Sequence, residues 1–218
     1  MKNLKMKYFI WLFSGLTILF LVAAAKLFGI PKNVDWNLFK FLSTIVMGEG
    51  FIWWLFFKWA WVWRIWQGWL VPFPNLNGTW KGKIHSNWIN PATGERIDSI
   101  PARLEVKQSF KRITCQLITA ESISKSSSEC FEIEPDSGAK QLVFSYQNEP
   151  KPSVKERSEP HEGTAKIRII GKKKIRLEGK YWNDRAKPVS GELEFNYWES
   201  DSYSKKAKTT LRHPMKNK

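Results

Sequence analysis

Two apolar runs open the chain, and a different periodicity takes over after Pro72. Tyr8–Ala25 is eighteen residues without a formal charge. As a helix, with about 1.5 Å rise per residue, it would span roughly 27 Å, close to the ~30 Å hydrocarbon core of a bilayer. Gly29 and Pro31 break the run, so a short loop ending near Asp35 should return the chain antiparallel to itself. The second span begins near Asn37. It runs either over Phe41–Phe57, with Glu49 near its centre, or over Phe51–Trp63, with Glu49 near the headgroups. The helix is expected to continue to Trp69, where Pro72 and Pro74 stop it. A cleaved signal peptide is the rival reading of the first run. Its basic start and Ala23–Ala25 fit that reading, while its length and the second span speak against it.

After Pro74 the pattern is period two, with turn residues every ten to fifteen positions. Eight strands are predicted: Gly78–Trp88, Ile100–Gln108, Arg112–Glu121, Ser128–Glu134, Gln141–Gln147, Gly163–Ile170, Lys174–Trp182 and Gly191–Trp198. Ala102, Leu104 and Val106 alternate with Arg103, Glu105 and Lys107, and Ala165, Ile167 and Ile169 alternate with Lys166 and Arg168. One apolar and one polar face describe an antiparallel sheet with a single buried side. Asn90–Gly94, Asp136–Gly138 and Gly171–Lys173 supply turns, and 148–162 reads as a long charged loop. The predicted fold is a transmembrane α-helical hairpin followed by an all-β domain. A small eight-stranded antiparallel barrel is preferred because closure removes open edges; a sandwich is the alternative. The boundaries read as 1–74 for hairpin and connector, 75–198 for the barrel and 199–218 for a disordered basic tail.

The 218 residues carry 35 Lys/Arg against 20 Asp/Glu. The first 74 hold eight of the cations and two of the acids, Asp35 and Glu49, so most of the positive excess belongs to the β-domain and its tail. Such an excess favours anionic partners, either phosphates or the anionic membrane leaflet. Lys2, Lys5 and Lys7 place the N-terminus, and after two spans the barrel, on the cytoplasmic side. Seven tryptophans from Trp53 to Trp69 mark an interfacial belt. Cys115 and Cys130 lack metal-ligand spacing, and the three histidines are scattered, so no metal site and no cofactor are expected. No nucleophile elbow or phosphate-binding glycine loop points to an enzyme, and no recognition-helix pattern points to duplex nucleic acid.

Two candidate sites emerge. In the membrane, Gly48-Glu49-Gly50 combines a carboxylate, costly in lipid, with small residues that let helices approach, so it is a candidate assembly surface for a homo-oligomer. In the barrel, the inward set includes Trp80, Thr119, Tyr146, Gly179, Tyr181 and Tyr197, with Arg103, Arg112, Arg168 and Arg176 at candidate rim positions. Aromatic rings stack on bases and guanidinium groups pair with phosphates, so Trp80, Arg103, Arg112, Thr119, Tyr146, Arg168, Tyr181 and Tyr197 are the candidate nucleotide contacts.

Asn77-Gly78-Thr79-Trp80-Lys81-Gly82 opens the first strand, and its Gly-x-Trp resembles lipocalin-like barrels, in which the Trp plugs one end. Joined to two N-terminal spans, the whole chain resembles the bacterial CBASS effectors that carry two transmembrane helices and a minimal β-barrel. The resemblance implies an antiphage membrane effector in the bacterial inner membrane. Its barrel would bind a cyclic dinucleotide made by a partner synthase, after which the protein oligomerises and the membrane fails. The alternative is a membrane-tethered, lipocalin-like binder of lipid or a small apolar ligand.

Overall fold

The computed structural model describes residues 6–30, 36–89, 94–96, 99–134, 136–156, 158–171, 174–185 and 188–199. The loop residues 31–35, the turn residues 90–93 and 172–173, and the basic tail after Glu199 lie outside the described residues. The chain divides into two compact units. One runs to Pro74 and includes Ser109–Lys111; the other takes up Asn75–Gln108 and continues from Arg112.

The first unit is built on α1 (Met6–Phe28) and α2 (Trp36–Lys58), both long and apolar enough to cross a membrane. Ile10, Trp11, Ile18 and Leu19 on α1 and Val46, Met47 and Phe51 on α2 are exposed, as lipid-facing side chains would be. Ala24, Phe41 and Ile45, with Phe20 against them, form the seam between the helices. The second helix starts at Trp36, beside the expected Asn37, and carries Glu49 near its middle, as in the first of the two placements. It ends at Lys58 rather than continuing to Trp69. Two 3₁₀ turns follow, Ala60–Val62 and Arg64–Trp66, and Gly68 then adopts a left-handed φ of 97°. Packing bends the segment: Trp61 is buried, and the Trp66 ring meets Phe56 edge-on at 5.6 Å. The ammonium of Lys58 lies 4.6 and 4.7 Å from the ring centroids of Trp54 and Trp59. That is the arrangement expected of a snorkelling cation at an aromatic belt.

The second unit is a closed barrel of eight antiparallel strands paired in sequence order. They are β1 (Gly78–Ser86), β2 (Ile100–Gln108), β3 (Ile113–Ile118), β4 (Ser122–Ile133), β5 (Lys140–Pro150), β6 (His161–Ile170), β7 (Arg176–Asn183) and β8 (Ser190–Glu199). β1 closes on β8 with a register shift between Lys81 and Gly82. β4 begins six residues before its predicted start, because Ser122–Ser127 shows no apolar alternation to read, although Ser124 points inward and is buried. The expected long loop shrinks: β5 extends through Pro150, Val154 is buried in a 3₁₀ turn, and β6 starts at His161.

The middle of the barrel is packed with side chains. Leu104, Leu142, Phe144, Ile167, Leu177, Leu193 and Phe195 are at most 1 % exposed and fill the middle of the barrel. An eight-stranded barrel is just wide enough for side chains to do this. At the end formed by the start of β1 and the end of β8, Trp80 donates from Nε1 to the Leu76 carbonyl at 2.9 Å, and Trp198 donates to the Asn77 carbonyl at 2.8 Å. The two indoles stand 6.5 Å apart and floor that end. Asn77 and Gln108 exchange hydrogen bonds beside them, 2.5 Å from the Gln108 amide to Asn77 Oδ1 and 2.7 Å from Asn77 Nδ2 to the Gln108 carbonyl.

Candidate functional site: the polar end of the barrel

Burying a polar side chain is unfavourable unless it finds partners, so the location of buried polar groups is informative. Among the described residues of the barrel these are Thr79, Ser86, Ser124, Asn148 and Asn183. All but Thr79 lie at the end opposite Trp80. The register carries them round the barrel: Ser86 faces Gly191, which faces Tyr181; Asn183 faces Gly163, which faces Tyr146; Asn148 faces Ser124.

The two tyrosines lie over glycines. A Cβ on Gly163 would fall 2.5 Å from Tyr146 Oη, and one on Gly191 would fall 2.6 Å from Tyr181 Cε1. Glycine at both positions lets each phenol ring lie against the neighbouring strand. Burial, above all, pushes both phenol pKa values up, so both hydroxyls stay protonated and can donate. Tyr181 also hydrogen-bonds the Ser86 side chain.

A hydrogen-bonded chain runs across this end. Ser124 donates to Asn148 Oδ1 at 2.8 Å, and Asn148 Nδ2 lies 3.4 Å from His161 Nδ1. Arg185, in the turn after β7, donates from Nε to the same His161 nitrogen at 3.1 Å and from Nη2 to Ser158 Oγ at 3.0 Å. The same nitrogen lies 3.0 Å from Arg185 Nη2 and 3.0 Å from the Glu159 carbonyl, so Nδ1 sits between guanidinium N–H groups, which only donate, and a carbonyl oxygen, which only accepts. Burial lowers the His161 pKa; the hydrogen bond to the Glu159 carbonyl opposes this, and the Arg185 charge adds to it. The neighbouring Asp184 carboxylate is directed elsewhere, accepting from the Glu162 amide at 2.9 Å. The His161 ring stands edge-on to Tyr146 at 6.5 Å.

The structure brings three of the candidate contacts to this end: Tyr146, Tyr181 and Thr119. The Thr119 hydroxyl is already committed to its turn, accepting from the Ser122 amide at 3.0 Å. Trp80 is at the floor, 2 % exposed. Arg103 is on the outer face, 3.1 Å from Glu105, and Arg168 is exposed on the outer face of β6. Arg112 is exposed just before β3, at the floor end. These four, placed at the ligand by residue type, are held away from the polar end by strand phase and register. Tyr197 pairs with Lys81 through its backbone, but its side chain lies outside the described residues. Ser86, Ser124, Asn148, His161, Asn183 and Arg185 were not singled out in the sequence. They sit at strand ends, where polar residues read as turns. The one legible signal was glycine at inward phases of β6 and β8 opposite tyrosines.

In the membrane hairpin, Thr17 Oγ1 lies 2.7 Å from Glu49 Oε1, and Glu49 is buried between the helices. A Cβ on Gly48 would stand 2.6 Å from Phe20, whereas Gly50 faces open space. Gly48 and Glu49 thus serve the contact within one hairpin, and Gly50 alone of the three has an unoccupied face.

No curated protein matches the chain. A family model does, that of the Cap15 cyclic dinucleotide receptor domain, which aligns with residues 71–197 and so takes in the barrel from the connector into β8, short of its last two residues. This chain, two apolar helices followed by a closed eight-stranded barrel, belongs to that family of CBASS effectors.

Proposed function

We propose that this protein is an antiphage membrane effector whose barrel takes a cyclic dinucleotide at its polar end, and that occupancy gathers the membrane hairpins and breaks the bacterial inner membrane. Membership of the receptor family supplies the ligand class and makes the barrel a ligand-binding domain. The observation that carries the placement is the gathering of Ser86, Ser124, Asn148 and Asn183 at one end of an otherwise apolar interior. Tyr146 and Tyr181 there offer rings for stacking and protonated hydroxyls for base edges. The filled middle of the barrel speaks against the lipocalin-like alternative, since Leu, Ile and Phe side chains occupy the space an apolar ligand would need.

A messenger can switch the protein only by binding the assembled state more tightly than the resting one. In the resting hairpin Thr17 occupies Glu49. Assembly would then use the outward faces, including Gly50, and rearrange the Gly48–Glu49 seam. The N-terminus and barrel face the cytoplasm, where a synthase would deliver the messenger. Co-expression with a cyclic-dinucleotide synthase, with membrane potential recorded in single cells, tests the reading. Depolarisation is expected with active synthase and not with a catalytically dead one. Equal depolarisation with both would overturn it.

A further inference from the structure

Within the candidate site, one cation is held in an unusual way. Arg185 is half-buried, and its hydrogen-bond partners among the described residues are an imidazole nitrogen, that of His161, and a hydroxyl, that of Ser158. Among the described residues no carboxylate forms an ion pair with it. The outer face of the barrel behaves differently, with Lys81–Glu199, Arg103–Glu105, Lys125–Glu149 and Lys166–Glu132 all within 3.1 Å. Asp184, next in sequence to Arg185, is the obvious counter-ion, yet its carboxylate is drawn to the Glu162 amide. The fold therefore holds a guanidinium near Tyr146 with no ion-pair partner among the described residues.

Resting on the reading that a cyclic dinucleotide occupies this end, we propose that Arg185 is the phosphate-binding residue of the site and that His161 positions it. Uncompensated charge near low-dielectric walls attracts an anion, and a guanidinium fork matches two phosphate oxygens. The imidazole Nδ1 lies 3.1 Å from Nε and 3.0 Å from Nη2 and so holds one edge of the fork without cancelling its charge as a carboxylate would. Ser158 Oγ also accepts from Nη2, at 3.0 Å. Nη1 makes no hydrogen bond to the described residues and is the edge left to meet a phosphate. His161 also links Arg185 to Asn148 and Ser124 on β5 and β4, so the cation is tied to three strands and the turn after β7.

The test is calorimetric titration of the full chain in detergent with cyclic di-AMP, cyclic di-GMP and cyclic UMP–AMP. The variants are Arg185→Ala, Arg185→Lys, His161→Gln and His161→Phe. Arg185→Ala is expected to weaken the best ligand at least tenfold and to flatten the salt dependence of its Kd. Arg185→Lys keeps the charge but not the fork and should recover only part of the loss. His161→Gln retains an acceptor for the Arg185 N–H and should bind within about threefold of wild type, whereas His161→Phe should lose most of the effect of Arg185. Thermal unfolding of each variant confirms that the barrel is intact. If wild type binds and folded Arg185→Ala binds as tightly with the same salt dependence, the assignment of Arg185 is overturned. If His161→Phe equals His161→Gln, the positioning role falls. If wild type binds no member of the panel, it is the proposed function that fails.

Discussion

Replacing Trp80 with Phe separates the two roles that a tryptophan in a barrel can play. Its indole is 2 % exposed and donates to the Leu76 carbonyl, itself on a residue with no exposed surface. Trp80→Phe leaves that carbonyl without its partner, which costs about 1–3 kcal/mol for a buried group. The shaved ring adds a small void worth about 1 kcal/mol. The sum, about 2–4 kcal/mol, is a sizeable part of the 5–15 kcal/mol typical of a domain, yet it leaves the barrel folded at room temperature. For a domain of this size about 1 kcal/mol moves Tm by roughly 4 °C, so a drop of about 8–16 °C is expected. Near-UV circular dichroism of the detergent-solubilised chain reads the melt, and titration at 20–25 °C (about room temperature) reads the affinity. The Kd for a cyclic dinucleotide should stay within about twofold of wild type, because the floor lies at the far end from the site. An unchanged melt with a tenfold weaker Kd would refute the reasoning and return Trp80 to the ligand.

Other outcomes follow from the same structure. Cys115 is buried, and its thiol pKa is pushed up by burial and by Glu129, whereas Cys130 is exposed. A thiol reagent at pH 8 should therefore label Cys130 and spare Cys115 until the barrel unfolds, as peptide mass mapping would show; equal labelling contradicts the packing. Because the folded state lowers the His161 pKa, the unfolded chain binds more protons there, and stability should fall as pH drops below about 6.5, the unfolded value. His161→Gln should remove that part of the pH dependence, and an unaltered profile would reject it. Leu193→Ala, at a site 1 % exposed, should cost about 2–5 kcal/mol in chemical denaturation, while a near-neutral result would mean a loose interior. Gly48→Val should disturb the α1–α2 seam by pressing on Phe20, and Gly50→Val should spare it; pairwise cysteine crosslinking across the hairpin distinguishes the two.

The barrel was legible because its strands carry Leu, Ile, Val or Phe on one phase and Lys, Glu or Arg on the other. Leu142, Phe144 and Tyr146 on β5, and Leu193 and Phe195 on β8, gave the inward face directly. The first half of β4 was hidden because a serine-rich strand has no contrast between phases, whether or not Ser124 is buried. The hairpin was legible from length, but the end of α2 was not. Tryptophan-rich sequence reads as continuing helix, and only the packing of Trp61 and Trp66 and the left-handed Gly68 turn the chain at Lys58. The site was half legible. Tyr146 and Tyr181, named for phase and ring chemistry, lie at the polar end proposed as the site. Arg103 and Arg168 were chosen for charge although their phase pointed outward, and the structure follows the phase. Arg185 sits in a turn, where no periodicity applies, and its meaning depends on a histidine 24 residues earlier in the chain.

Amide hydrogen exchange of the full chain with and without saturating cyclic dinucleotide tests the central claim most directly. Protection is predicted in 146–148, 161–163 and 181–185, at the end where the buried polar residues gather, with residues 76–80 at the floor unchanged. Protection confined to the floor, or absent throughout for every cyclic dinucleotide tried, would contradict it.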